Sequence, residues 1–361
     1  MTTATVNSGI TNSLTTGQLP KWTPWVLLGG SWVVLLVIFG FIKAADETAD
    51  YNIAAALFLG TILFDVMLFV LAHLVEGARQ ARDRLVTSLV ATAFIVVLLP
   101  LVSLLFTVVS NGLARFDITF FTYSMRNVVG EGGGALHAII GTLLITGMAT
   151  LISVPIGLLT SIYLVEYGRG NLAKAITFFV DVMTGIPSIV AGLFAFALFS
   201  LLFSDPGIRF GFGGSIALSL LMIPVVVRSS EEMLKIVPNE LREAAYALGV
   251  PKWLTILKVV IPTALAGIAT GITLAISRVI GETAPLLIIS GFTASMNYDL
   301  FNDRMMSLPV FLYTQYANPG SDVQAYLDRA WAGALTLIVI VMLLNLIARL
   351  IARFFSPKLG R

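Results

Sequence analysis

Residues 239–253 read NELREAAYALGVPKW, a polar, well-patterned helix set between long apolar runs in a chain that is only 12% charged. Pro238 and Asn239 open it, with Asn239 expected as the N-cap. Glu240 and Glu243 lie early, where carboxylates suit the helix dipole. Gly249, followed by Pro251, closes it. Leu241, Ala244, Ala245 and Leu248 fall at i, i+3, i+4 and i+7 and make one narrow stripe of mostly small apolar residues. At about 1.5 Å per residue the rod is only some 15 Å long. A helix lying flat on lipid headgroups would favour basic residues and bulkier apolar ones. This stripe is Ala-rich with acidic flanks, which suits insertion into a groove on a partner.

Working outward, the rest of the chain is strongly apolar. Of its 361 residues, 57% are hydrophobic and the mean hydropathy is +0.94. Runs near the roughly 20 residues that span hydrocarbon recur along it, so the expectation is an all-α polytopic membrane protein. The alternating pattern of a β-barrel is missing. Eight spans are expected, at about 24–42, 53–76, 86–110, 136–165, 172–203, 213–228, 259–289 and 330–352. Residues 1–23 and 353–361 read as tails, the first of them disordered. The pair of spans at 24–76 is read as an addition, joined through the segment 77–135, which opens on the charged linker ARQARDR (78–84), to a core at 136–352 with the soluble helix at 239–249.

One set of connecting segments carries Lys21, Arg79, Arg82, Arg84, Arg169, Lys174, Arg228, Lys235, Arg242, Lys252, Lys258, Arg349, Arg353, Lys358 and Arg361. The other carries only Lys43, Arg115, Arg126, Arg209, Arg304 and Arg329. The positive-inside rule places the first set, both termini and NELREAAYALG in the cytoplasm. The acidic KAADETAD (43–50) and the segment 291–329 then lie outside. The stretch SLPVFLYTQYANPG (307–320) reads either as an interfacial loop with aromatic anchors or as a surface for an external partner. The net charge of +2 is too small for a nucleic-acid binder, and with no cysteine there is no thiol chemistry.

AISRVIGETAPLL (275–287) sets Arg278 and Glu282 inside an apolar span. Each costs about 2.5–3.5 kcal/mol near a helix centre. An i,i+4 pair returns only about 0.2–0.5 kcal/mol, and basic-before-acidic is the weaker order. The two residues therefore read as lining a wet or substrate-bearing interior, with an interhelical ion pair as the rival reading. Arginine suits tetrahedral oxyanions because its planar fork donates two charge-assisted hydrogen bonds. A partly protonated phosphate can also donate its O–H to Glu282, which sulfate cannot. Gly281, Thr283 and Pro285 flank the pair and weaken the helix there. In FFVDVMTGIPSIVAGLFAF (178–196), Pro187 and Ser188 sit at a second interruption, which is either a packing kink or part of a pore wall. Asp181 reads as a snorkelling residue and Arg228 as an anchor able to help release an anion inward. Asp65 reads as a buried hydrogen-bond acceptor, and His73 and His137 as structural.

Glu243-Ala244-Ala245, then Gly249, then Val259-x-Ile261-Pro262 resembles the EAA loop of binding-protein-dependent ABC importers, with Val259 and Ile261 where that family has Ile and Leu. GIPSIVAGLF (185–194), RSSEEMLKIVPNELREAAYALG (228–249), RVIGETAPLL (278–287) and LLNLIARLIAR (343–353) are similar to the A-type permease subunits of bacterial phosphate-specific ABC transporters. That resemblance implies a six-helix type I importer core in the bacterial cytoplasmic membrane and half of a heterodimeric phosphate pathway. It makes 239–249 a coupling helix for a cytoplasmic ATPase, carried by Glu243, Ala244, Ala245, Leu248 and Gly249. It implicates Arg278, Glu282 and Arg228 in transport. Two ATPase subunits, a second permease and an external phosphate-binding protein are the implied partners, besides membrane lipid. No GxxxxGK[ST] loop occurs in the chain, so ATP is expected on another polypeptide and no cofactor on this one. Sulfate or molybdate import, and ion-coupled secondary transport, are the alternatives. A membrane-embedded enzyme finds no support, as there is no HExxH and no adjacent Ser/His/Asp set.

Overall fold

The structure, a computed structural model, describes residues 19–45 and 52–355. Most of the expected tail at 1–23, the centre of KAADETAD and the chain beyond 355 lie outside the described residues. The chain divides into two compact units, one ending at Leu105 and the other beginning at Phe106. All regular structure among the described residues is helical.

In the first unit α1 (Thr23–Ala45) and α2 (Ile53–Val75) form a hairpin. The α2 start is capped by the Asn52 side chain, which accepts from the Ala55 N–H at 2.9 Å. Trp32 donates its indole N–H to Thr61 at 3.1 Å, across a close approach that the neighbouring Gly60 permits. Asp65 is buried and accepts from Ser88 on α3 (Ala78–Gly112), so it has the hydrogen-bonding role expected of it. The division between the units falls within α3.

The second unit continues with α4 (Ile118–Thr122), α5 (Leu136–Ile162), α6 (Gly170–Thr184), α7 (Ser188–Phe203), α8 (Gly211–Ile236), α9 (Asn239–Ala247), α10 (Lys252–Thr255), α11 (Ile261–Val279), α12 (Ala284–Ile289), α13 (Leu308–Ala317) and α14 (Val323–Phe355). Tyr163–Tyr167 and Ile256–Val260 are π-helical turns. The core forms where α5 meets α8, with Ile145, Ala149, Leu218, Met222 and Val226 buried in one cluster. Ser215 of α8 donates to the Ile145 carbonyl at 3.0 Å, a polar tie between two otherwise apolar faces. Where lipid cannot supply a hydrophobic force between helices, small residues and such bonds hold them together.

Among the described residues, seven helices are long and apolar enough to cross a membrane, or up to eight if α6 and α7 form one broken span. The all-α polytopic expectation holds, and three local expectations change. The run 172–203 is two helices meeting at 108°, because Pro187 stays extended and restarts the helix at Ser188. The run 259–289 breaks between Val279 and Ala284, so Arg278 and Glu282 do not share a continuous helix. Asn239 is the first helical residue of α9, with Pro238 before it, and its side chain accepts from Arg242 instead of capping the helix. SLPVFLYTQYANPG folds mostly into α13, whose residues Leu308–Phe311 are buried, as is His137, which packs edge-on against Phe311.

Candidate functional site

The end of α8 and the whole of α9 are seated by one arginine. Arg242 donates twice to the Glu166 carboxylate, at 3.0 and 2.9 Å. It also donates to the carbonyls of Leu234 at 3.0 Å and Val237 at 2.6 Å. Both charged side chains are nearly buried, at 12% and 5% exposure. Lys252 donates to the Glu166 carbonyl and stands over the Tyr167 ring at 4.8 Å. The π-turn that continues α5 is thereby tied to the first half of α9 and to the start of α10. Nothing in NELREAAYALG distinguishes Arg242 from a solvated charge, because its partner lies 76 residues away.

Of the residues expected to couple, Ala245 faces inward, while Glu243, Ala244 and Leu248 face out. Leu248 is 84% exposed, with Leu241 and Tyr246 also open. Gly249 adopts φ +74°, and Val250 donates back to the Ala245 carbonyl at 3.1 Å, ending the helix in a left-handed cap. The helix therefore presents a short, rigid, partly apolar outer face on a fixed seat.

Arg228 of α8 is bound by carboxylates on two helices. It pairs with Asp181 of α6 and with Glu231 at 2.9 Å, and Lys235 takes the other Glu231 oxygen at 2.7 Å. Asp181, expected to snorkel, instead ties α6 to α8.

Arg278 and Glu282 present the opposite picture. Arg278 is exposed in the last turn of α11, and Glu282 is half-buried in the break that follows. Neither makes a side-chain hydrogen bond or ion pair among the described residues, so the rival ion pair is not formed among them. Thr283 stands at the entry to α12 and its carbonyl accepts from Leu287 at 2.9 Å. The α12 segment packs on α7 so closely that a Cβ on Gly192 would lie 2.5 Å from the Pro285 Cα. One turn further along, Ala195 and Phe199 share a buried cluster with Ile289. The two helices therefore run side by side in the same direction, and their starts lie at one end. Pro187 and Ser188 are brought to the level of Glu282 and Thr283. The first N–H groups of α7 have no intrahelical partner and carry the positive end of its dipole. A free guanidinium, a free carboxylate and a helix N-terminus are a chemically suitable set for an anion that still bears a proton.

Residues 153–361 match the family of binding-protein-dependent transport system inner membrane components. The chain is 47% identical over 290 residues to phosphate transport system permease protein PstA 1 of Mycobacterium tuberculosis, covering 78% of this chain and 91% of that one. It is 40% identical over 281 residues to the PstA permease of Pasteurella multocida, covering 78% and 96%. Among solved structures, a bacterial ABC transporter that imports alginate superposes with a TM-score of 0.55 at 15% identity, over 78% of this chain and 97% of that one. At that identity the likeness is one of fold.

Proposed function

The chain belongs to the phosphate transport system permeases, within the binding-protein-dependent inner membrane components, and on that premise we propose how its parts divide the work. It is the membrane-spanning subunit of a phosphate ABC importer, acting together with a binding protein. The finer reading has this chain form half of the pathway beside a homologous second permease. Two separate ATPase subunits bind ATP on the cytoplasmic side, where both termini lie, and receive α9. An external binding protein delivers phosphate.

Closure of the ATPases displaces α9. Arg242 grips the Glu166 end of α5 and the Leu234–Val237 end of α8 together, so the displacement reaches both core helices as one movement. The α8 helix packs against α11 and α12, which carry the interruption holding Arg278 and Glu282. Two core helices moved as a rigid pair give alternating access without unfolding either helix. Arg228 stays paired at the cytoplasmic end of α8, where an anion passing inward meets its outer face.

The observation that carries the substrate assignment from the structure is the unpartnered state of Arg278 and Glu282, side chains too costly to keep in an apolar span without a polar occupant. Protonated phosphate satisfies both, whereas sulfate leaves Glu282 facing a like charge, a repulsive element against the wrong anion. Glu282→Gln in reconstituted transporter is expected to narrow the phosphate-to-sulfate uptake ratio about tenfold, roughly the worth of one charged hydrogen bond. An unchanged ratio would remove Glu282 from selection.

A further inference from the structure

We propose that Arg209 and Arg304, with the Asp303 carboxylate beside them, form an outer receiving site where a protonated phosphate waits before entering the break between α11 and α12. The inference rests on the phosphate-permease reading and adds a site to it. Arg209 lies two residues before the α8 start, and α9 follows the other end of that helix. At 1.5 Å per residue, the 26 residues of α8 separate the two by about 39 Å. Arg209 thus stands at the face opposite the ATPase side.

Arg209 and Arg304 line one open depression of about 390 Å³, together with Asp205, Gly207, Asn302 and Asp303. Both lie against Gly291, where a Cβ would meet the Arg209 Cδ at 2.8 Å and the Arg304 Cδ at 3.3 Å. Gly291 adopts φ +73°, so both the space and the backbone there require glycine. Arg209 commits its Nε to the Ile288 carbonyl at 3.1 Å. Its terminal N–H groups, and the whole Arg304 guanidinium, have no hydrogen-bond or ion-pair partner among the described residues. Two carboxylates share the depression without pairing to them. Asp205 is occupied, accepting from the Gly207 N–H at 2.8 Å. The Asp303 carboxylate has no hydrogen-bond or ion-pair partner among the described residues.

The scaffold around these side chains is firmly made. Asn297 donates to the carbonyls of Asn302 at 2.8 Å and Arg304 at 3.1 Å. Phe212 donates to the Leu300 carbonyl at 2.6 Å, and Met305 to the Ser290 carbonyl at 3.1 Å. The chain carrying Arg304 is thus sewn to the start of α8 and the end of α12. Two uncommitted guanidiniums on a fixed frame provide fork donors for a tetrahedral oxyanion, and Asp303 can accept its O–H. The chemistry repeats that of Arg278 and Glu282. The six residues of α12, about 9 Å at 1.5 Å each, separate the two places.

The chain has no cysteine, so Asn302→Cys places its single thiol in the depression, and labelling is read on this chain after the subunits are separated. In the assembled transporter, a negatively charged methanethiosulfonate should label it about tenfold faster than a positively charged one, as expected of a local positive field. Inorganic phosphate should slow labelling and sulfate should not. Arg209→Gln with Arg304→Gln should abolish both the charge preference and the protection. In the same double variant, without the cysteine, phosphate uptake below saturation should fall about tenfold, while ATPase stimulation by the loaded binding protein is retained. Lysine at both positions should restore the preference but not the full protection, having charge without the fork.

Absence of phosphate protection, or normal uptake in the double glutamine variant, overturns the proposal. Loss of ATPase stimulation together with uptake reassigns the arginines to binding-protein docking. Protection on reconstitution into lipid without added phosphate, absent in detergent, makes a lipid headgroup the occupant. Labelling reads occupancy directly, whereas failure of the phosphate-permease reading would appear as no phosphate uptake by the unmodified transporter.

Discussion

Arg242 and Arg278 are the same residue under opposite conditions. Arg242 spends its donors on a carboxylate, two carbonyls and an asparagine, and is almost buried. Arg278 has no partner among the described residues and lies open beside a broken helix. A saturated guanidinium is a structural bolt, since nothing is left to offer a ligand. An unsaturated one in an apolar span keeps its cost until something polar arrives. Carboxylates divide the same way. Glu166 is enclosed by Arg242, whereas Glu282 waits in the break. Ion pairs hold the α9 end of the core, whereas among the described residues the break between α11 and α12 holds none.

The strongest attempt to break that division is Arg278→Gln. It removes the donors proposed to hold substrate and no hydrogen bond or ion pair among the described residues. Uptake should fall about 100-fold or more, the equivalent of losing one or two charge-assisted hydrogen bonds. Thermal stability should move by less than about 0.5 kcal/mol. Destabilisation on the scale of a buried ion pair would make Arg278 a bolt after all. Uptake of radiolabelled phosphate and thermal unfolding of the same preparation decide between them.

Arg242→Ala should invert the pattern. Glu166 would be left buried without its partner, at a cost of about 3 kcal/mol to the seat of α9. Limited proteolysis near residues 239–249 should accelerate, less ATPase should co-purify, and uptake should fall about tenfold, less than for Arg278→Gln. Removing the stranded charge with Glu166→Gln in the same chain should recover part of the loss. If α9 stays protected and coupled in Arg242→Ala, the division between bolts and waiting groups fails at its structural end.

Which arginine is which could not be read from the chain alone, although much of the fold could. The α9 helix is legible because glutamates near its start, an i, i+3, i+4, i+7 stripe and a closing glycine are local signals. Its first residue was misplaced because Arg242 draws the Asn239 side chain away from capping, and Arg242 answers to Glu166 in a distant π-turn. The interruption at Gly185–Pro187 is marked in the sequence, but the 108° bend depends on α7 packing beside α12. Arg278 and Glu282 stand out as charges in an apolar run, yet their i,i+4 spacing implied one helix where the chain breaks. Arg209 and Arg304 gave no signal, because 95 residues separate them and only the loop 297–305 brings them to Gly291.

Arg115 offers the mildest test, since it pairs as Arg242 does but in the presence of water. It binds Asp117 and donates to the Gly133 carbonyl at 2.9 Å. Asp117 caps α4, accepting from the Phe120 N–H at 2.7 Å and from the Thr119 hydroxyl. Partial burial pushes its carboxyl up, but the Thr119 and Phe120 bonds, together with Arg115, outweigh this and hold it below its ordinary value. A depressed folded-state pKa means the charged form contributes stability above the unfolded value, near 3.9, and loses it as pH falls through the folded value. Asp117→Asn keeps an acceptor for the cap and removes only the charge. The variant should therefore differ from the parent by well under about 1 kcal/mol at neutral pH, because the Asp117 side chain is 45% exposed and water screens the pair. That small difference should persist down to about pH 4 and shrink below it, where the parent carboxylate also protonates. Exchange of the Phe120 amide, corrected for the intrinsic acid dependence of exchange, measures it locally. A difference at neutral pH as large as that for Arg242→Ala would show that pairing alone, without burial, makes an arginine a bolt.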